Sequence, residues 1–310
     1  MLLCAMLLLG AGGDTLRVLF WNLENFFDWR ADTTGVLDAP FTARGEKHWT
    51  RKRFNAKCQA VAKTFLWAGT TGGGLPDVIG VAEVENAFVL RRLLQETALR
   101  KLDYRVVHAD SPDLRGIDVA LLYRSSRLQL RSWKPCHLYR ADSTVLPTRD
   151  ILLAVLETPD GTPTAFLVNH HPSKYSGAAS ASKRERAVAR LRQLADSLLA
   201  EGLDRIVAMG DFNDTPEEAL YRCLSPPLVN LAEPLARRGE GSIKFEGRWE
   251  LIDQFFTTPA CAGPMTILRV PYLLVPDKAH AGDKPLRTYS GPRYLGGVSD
   301  HCPIWLVVPP

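Results

Sequence analysis

The sequence contains no Cys-x-x-Cys pair, and its six cysteines stand far apart, at positions 4, 58, 136, 223, 261 and 302. With Cys4 set aside in an apolar leader, five remain, an odd number at wide spacing. That pattern suggests neither a zinc site nor a disulfide framework, so Cys58, Cys136, Cys223, Cys261 and Cys302 read as scattered core thiols. A strong basic surplus is also missing. The chain has 38 Lys and Arg against 34 Asp and Glu, a formal net charge of +4. Such a balance admits an anionic substrate but argues against a protein that coats nucleic acid. No apolar run is long enough to span a bilayer. No repeat, low-complexity tract or linker-like break in composition divides the chain.

The start, "MLLCAMLLLGAGGDT", has a short apolar run over residues 2–9 followed by small residues. This is the outline of a secretory signal without its basic leader. Residues 1–13 are therefore expected to be a signal-like leader directing export to the periplasm or the exterior, and residues 14–310 a single domain. A buried N-terminal strand is the competing reading. Cys4 is poorly placed for a lipid anchor, because little apolar chain precedes it.

What is present is a core. The 310 residues are 46% hydrophobic and 23% charged, as in an ordinary globular protein. Phe54, Cys58, Val61 and Phe65 recur at helical spacing between Arg51 and Trp67. Leu90, Leu93, Leu94 and Ala98 mark a second helix, and Val188, Leu191, Leu194 and Leu198 a third over 182–200. Apolar runs predict strands at 17–27, 77–84, 104–108, 117–123, 151–156, 165–170, 205–209, 250–257, 266–271 and 303–308, with a long loop at 276–299. Some ten strands and few helices suit a layered α/β or α+β domain with a sheet-on-sheet core.

Several of these strands end in polar clusters. "VLFWN" ends at Asn22, "VIGVAE" at Glu83, "FLVNH" at His170, and "IVAMGDFND" runs into Asp211 and Asn213. "ELID" carries Asp253, and "SDH", with Asp300 and His301, precedes the last strand. One such ending is a turn. Several, built from carboxylates, amides and histidines, suggest one shared site at a sheet rim. Oxygen ligands from Glu, Asp and Asn suit a hard cation such as Mg²⁺. That leaves the histidines free for proton transfer or for donating to a developing anion, with Asp253 orienting His301. Together these groups fit metal-assisted attack of water on a phosphate ester.

Taken in order, "WNLENF", "VAEVEN", "VNHHPS", "MGDFND", "ELIDQF" and "GVSDHCP" resemble the endonuclease/exonuclease/phosphatase superfamily, with its deoxyribonuclease-I-like fold, over residues 16–308. The resemblance, to secreted bacterial members in particular, implies a four-layer α/β/β/α sandwich of two packed mixed sheets flanked by helices. It implies Asn22, Glu83 and Asp300 as metal-site residues for Mg²⁺, with Mn²⁺ as the alternative ion. It implies His301, paired with Asp253, as the essential histidine, and Asp211 and Asn213 as the groups that position water and phosphate. His170 matches the histidine of the nuclease branch. "NHHPSK" departs from the pattern, with His171 where an aromatic residue is usual; His170 is the one assigned to the site. Whether Asp211 or His301 removes the water's proton stays open.

Bland readings compete at each position. Asn22 serves equally as a strand-end cap, Glu83 as a helix-start carboxylate, and Asp253 as a buried partner for an arginine. Glu85 is read as such a helix-start carboxylate. Arg115, Arg149, Lys174 and Arg287 are candidate phosphate contacts, with solvated charge the better reading for any one of them. Asp118 is a candidate partner for His170. Trp49 and Trp249 are candidates for stacking on a base, with burial the competing account. Three functions follow: a nuclease-like phosphodiesterase on DNA or RNA, a phosphatase on small, inositol or lipid phosphates, and a non-catalytic binding protein on the same fold. The chain is expected to be a monomer.

Overall fold

The computed structural model describes residues 15–30, 39–174 and 178–310; the expected leader, with Cys4, lies outside them. The chain opens with β1 (Leu16–Phe26), α1 (Arg51–Thr71), β2 (Val78–Val84) and α2 (Ala87–Gln95). It continues through β3 (Tyr104–His108), β4 (Asp118–Arg124), β5 (Gln129–Cys136), β6 (Ile151–Glu157) and β7 (Pro163–His170). α3 (Ala178–Ala200) leads to β8 (Ile206–Asp211), β9 (Val229–Asn230), β10 (Ile243–Phe245), β11 (Arg248–Glu250) and β12 (Asp253–Thr257). β13 (Met265–Ile267), β14 (Leu274–Pro276), β15 (Asp283–Pro285), β16 (Tyr289–Ser290), β17 (Arg293–Tyr294) and β18 (Ile304–Val308) complete it.

Two six-stranded mixed sheets result, ordered β13-β18-β1-β2-β4-β3 and β5-β6-β7-β8-β12-β9. Each has one parallel pair at its heart, β1 with β2 and β7 with β8. A parallel pair needs a crossover, and α1 and α3 supply the two crossovers. Val18 and Phe20 of β1 meet Leu152, Phe166, Met209 and Phe255 of the other sheet in a core between the sheets. Leu19 and Trp21 point the opposite way, onto Phe54, Val61 and Phe65 of α1. This alternation is the period-two signature of a strand buried on both faces. Val188, Leu191, Leu194 and Leu198 of α3 cover Leu153, Leu167 and Ala208 on the far side. The expected four layers, α/β/β/α, are all present.

The predicted helices form where the apolar spacing placed them, with local stops. Thr50 caps α1 by accepting from the Arg53 N–H, and Asn86 caps α2 by accepting from Val89. α2 ends at Gln95, and after a cap at Thr97 it is Leu99, not Ala98, that turns inward. Arg248–Glu250 belongs to a hairpin with β10, so only Asp253–Thr257 of the expected 250–257 strand joins a sheet. Within the expected loop 276–299, β15 pairs with β14 and β16 with β17 in two short ladders. β5 was not foreseen. It is a largely exposed edge strand, so its side chains carry no clean alternation. Cys58, Cys136, Cys261 and Cys302 are buried, Cys223 is exposed, and all five are free thiols.

Candidate functional site

The C-terminal ends of both parallel pairs lie at one rim of the sandwich. In the second sheet His170 lies beside Asp211, and Asp211 beside Asp253 on the antiparallel β12. In the first sheet Asn22 and Glu83 stand at the ends of β1 and β2, and Asp300 and His301 lead into β18. Glu83, His170, Asp211, Asn213, Asp300 and His301 all line one cleft of about 1030 Å³. Asn22 and Asp253 stand directly behind them, so all eight expected site residues come together.

Asp211 is the centre. Its Oδ2 accepts from Asn22 Nδ2 at 2.9 Å and lies 3.7 Å from His170 Nε2 and 3.9 Å from His301 Nε2. Its Oδ1 accepts from the Asn213 N–H at 2.9 Å. His301 Nδ1 meets Asp253 Oδ2 at 2.7 Å. Burial opposes the charged imidazolium, yet Asp253, with Asp211 and Asp300 beyond it, holds the His301 pKa well above 6.5. For Asp211 burial dominates, and despite the His301 charge its pKa rises to about 7. His170 is driven the other way, well below 6.5, by burial and then by Arg149 and Arg115. The site thus pairs a neutral histidine and a charged one across a single carboxylate.

The backbone is bent to build this arrangement. Glu24, Asn25, Glu83 and Asn213 have φ of 47°, 53°, 60° and 51°, four of the seven non-glycine residues in the left-handed region among the described residues. Such conformations cost about 1–3 kcal/mol each and persist where surrounding contacts enforce them. Here the enforcing contacts are visible: Glu24 N–H donates to Asn22 Oδ1, Asn25 N–H to Glu83 Oε2, and Asn213 Nδ2 to the His171 carbonyl. Register shifts in the β1–β2 and β2–β4 ladders fall at the same place. Phe212 turns inward, as alternation predicts, onto His171, Tyr221 and Phe256. Asn213 nevertheless sits in a turn rather than in extended chain.

The two adjacent histidines separate cleanly. His171 is buried, meets the Phe212 ring edge-on at 4.7 Å, and has no hydrogen-bond partner on either ring nitrogen. It fills an aromatic position, and burial, then Arg149 and Arg184, depresses its pKa to about 3.

Two residues missed from the sequence, Glu24 and Lys57, complete the floor together with the candidates Arg287 and Arg115. Glu24 is buried; its carboxylate accepts from Thr288 N–H at 2.6 Å and from Arg287 Nε at 3.2 Å. Burial, then Asp300, raises its pKa to about 7. Lys57, only 2% exposed, donates from Nζ to the Glu24 carbonyl at 2.5 Å and to Thr288 Oγ1 at 2.9 Å. Glu24 was legible, since it lies inside "WNLENF"; Lys57 on a helix face had no such signal. Arg287 is a cleft residue, with Nη2 2.9 Å from Asp300 Oδ2, and Arg115 lies 3.7 Å from Glu83 Oε2.

Other candidates fall away from the cleft. Arg149 is buried and donates to the His170 and His171 carbonyls while pairing with Asp113. Lys174 pairs with Asp214, and Trp49 is buried with its indole N–H on the Phe27 carbonyl. Trp249 carries the Arg269 guanidinium on its face. Asp118 pairs with His108 and Ser111, not with His170. Glu85 stands at the start of α2 as expected, just before the cap Asn86, and its carboxylate accepts from the Asp28 N–H.

The donor set fits a divalent cation. Glu24, Glu83, Asp211 and Asp300 crowd one cleft, and in two of them burial first, then a neighbouring carboxylate (Asp300 for Glu24, Asp253 for Asp211), raises the pKa. Among the described residues, ligand atoms of Asp211, Asp253 and His301 also lie within 4.8 Å of one another, a spacing already explained by the His301–Asp253 hydrogen bond.

No helix among the described residues is long and apolar enough to cross a membrane. No curated protein matches the chain. Among solved structures it is similar to the human nocturnin catalytic domain with bound sulfate, at 17% identity, TM-score 0.60, covering 94% of this chain and 93% of that one. It is similar to a mannosyl-6-phosphatase of Bacteroides thetaiotaomicron, at 17% identity and TM-score 0.61, covering 94% and 99%. A third likeness is to D. rerio TDP2 complexed with single-strand DNA product, at 15% identity and TM-score 0.55, covering 95% and 99%. At such identities these likenesses speak to the fold. Residues 17–309, nearly the whole chain, match the Endonuclease/Exonuclease/phosphatase family, and the chain is a member of it.

Proposed function

We propose that the protein is a Mg²⁺-dependent phosphoesterase that directs water onto phosphorus. The observation that carries this reading is Asp211, buried between the Asp253-held His301 and the neutral His170, with Glu83 3.8 Å from His170. A divalent cation held by Glu83, Asn22 and Asp300 would polarise the phosphoryl oxygen and neutralise the carboxylates around it. Asp211, with its pKa near 7, accepts the proton of the attacking water. His301 is already charged, so it serves as the cationic donor to the developing phosphoryl oxyanion rather than as the base. His170 donates from Nε2 on the opposite side, and Asn213, anchored at both its amide groups, fixes the water and phosphate. Asp253 keeps His301 charged and oriented.

Two substrate classes have support. His170 facing Asp211 favours a nuclease-like phosphodiesterase, as does the likeness to TDP2 with a DNA product. The cleft volume of about 1030 Å³ suits a small phosphate ester, a reading the likeness to the mannosyl-6-phosphatase also favours. Purified protein with Mg²⁺ or Mn²⁺ should be assayed on plasmid DNA, RNA and a panel of small esters. Hydrolysis that stops on chelation is expected on at least one of them. His301→Asn, which retains a donor to Asp253, should lower kcat about 10²–10⁴-fold with little change in melting temperature. Undiminished activity in that variant overturns the assignment.

A further inference from the structure

Three hairpins lie outside both sheets and raise one wall of the cleft. Two of them are tied directly to the site. β10 bridges from Ile243 to His301, and the Cys302 N–H donates to Ser242 at 2.7 Å. Past β15, Arg287 binds both Glu24 and Asp300. The wall is basic where the floor is acidic. Lys244 and Lys284 share one carboxylate, Asp277, at 3.5 and 3.0 Å. Lys278 and Arg293 also line the cleft and have no carboxylate partner among the described residues. Glu246 and Asp283, on the same hairpins, do not line it. The same cleft is also lined by the apolar Ile243, Val275 and Leu286 and by Phe245, which is 51% exposed. Lys284 is three residues before the floor arginine Arg287, at most about 10 Å of extended backbone.

We propose that this wall is a second anion site, and that the substrate is a small phosphate ester bearing an aromatic group and a second phosphate. The scissile phosphate sits over Asp211 and His301, the ring lies on Phe245, and the second phosphate meets Lys278, Lys284 and Arg293. A cleft of about 1030 Å³ matches a ligand of nucleotide size. The inference rests on the phosphoesterase reading and adds to it what the leaving group must carry.

The test compares adenosine 3′,5′-bisphosphate, adenosine 5′-monophosphate, 4-nitrophenyl phosphate and a short single-stranded oligonucleotide, all with Mg²⁺. Wild type should show a kcat/KM at least 30-fold higher on the bisphosphate than on the monophosphate. Lys278→Glu combined with Arg293→Glu, at exposed positions, should cut that ratio at least tenfold. Phe245→Ala should raise KM for the bisphosphate more than it lowers kcat. Equal turnover of all small esters, or an unchanged ratio in a folded double variant, overturns the second site and leaves the phosphoesterase reading standing. Better turnover of the oligonucleotide overturns the small-substrate assignment. If no ester is hydrolysed, the phosphoesterase reading fails. Calorimetric binding of the bisphosphate, at least tenfold tighter to wild type than to the double variant, then still decides the anion site.

Discussion

His170 and His171 are neighbours with opposite duties, and the difference lies in what each ring nitrogen can reach. His170 Nε2 faces two carboxylates, whereas neither nitrogen of His171 has a partner beside Phe212. His171 should therefore behave as an aromatic filler with a titration liability. Its folded pKa of about 3 lies below the ordinary 6.5, so the unfolded chain binds a proton that the fold refuses. The stability it contributes is full above pH 6.5 and is lost as pH falls toward 3. His171→Phe is expected to keep activity and to raise the melting temperature more at pH 5 than at pH 8; an equal shift at both would contradict this. Which of two adjacent histidines enters the site was assignable from its motif. That the other is uncharged packing depended on Phe212, 41 residues further along and itself placed by β8.

At the scale of elements, β7 and β8 deliver His170 and Asp211, and their spacing leaves no room for a side chain at Gly210. A Cβ there would lie 2.3 Å from the Asn169 carbonyl oxygen of the neighbouring strand. Gly210→Ala should force these strands apart and cost about 3 kcal/mol. The loss is read as a lowered urea midpoint, together with a fall in kcat from the displaced carboxylate. The helices and most sheet strands were legible, because Phe54, Val61 and Phe65, or Val18 and Phe20, repeat at the period of the element that buries them. β5 and the three hairpins were not. Short or exposed strands bury too little of each face for their sequences to alternate, as the largely exposed β5 shows.

Across the whole molecule, the cleft where the two sheets meet buries carboxylates, and burial more than mutual repulsion sets their protonation. Glu24 and Asp211 have folded pKa values of about 7, raised from 4.5 and 3.8. Without metal the fold holds protons that the unfolded chain releases, so their contribution to stability falls as pH rises from about 4 through 7. Mg²⁺ should reverse that trend. At 100 times its dissociation constant a bound ion adds about 2.7 kcal/mol, seen as a melting temperature several degrees higher at pH 7.5. The increment should vanish with EDTA and shrink in Glu83→Gln; a melting curve indifferent to Mg²⁺ at millimolar concentration would count against the metal site. By itself the sequence determined which residues end which strands, and with them the family, because apolar periodicity and polar strand ends are written locally. Only the tertiary structure decided how those ends share protons. It also revealed that Lys57 underpins the floor beside Glu24 and that a basic wall faces it. Contacts such as Thr288 to Glu24, 264 residues apart, leave no mark on the chain near either partner.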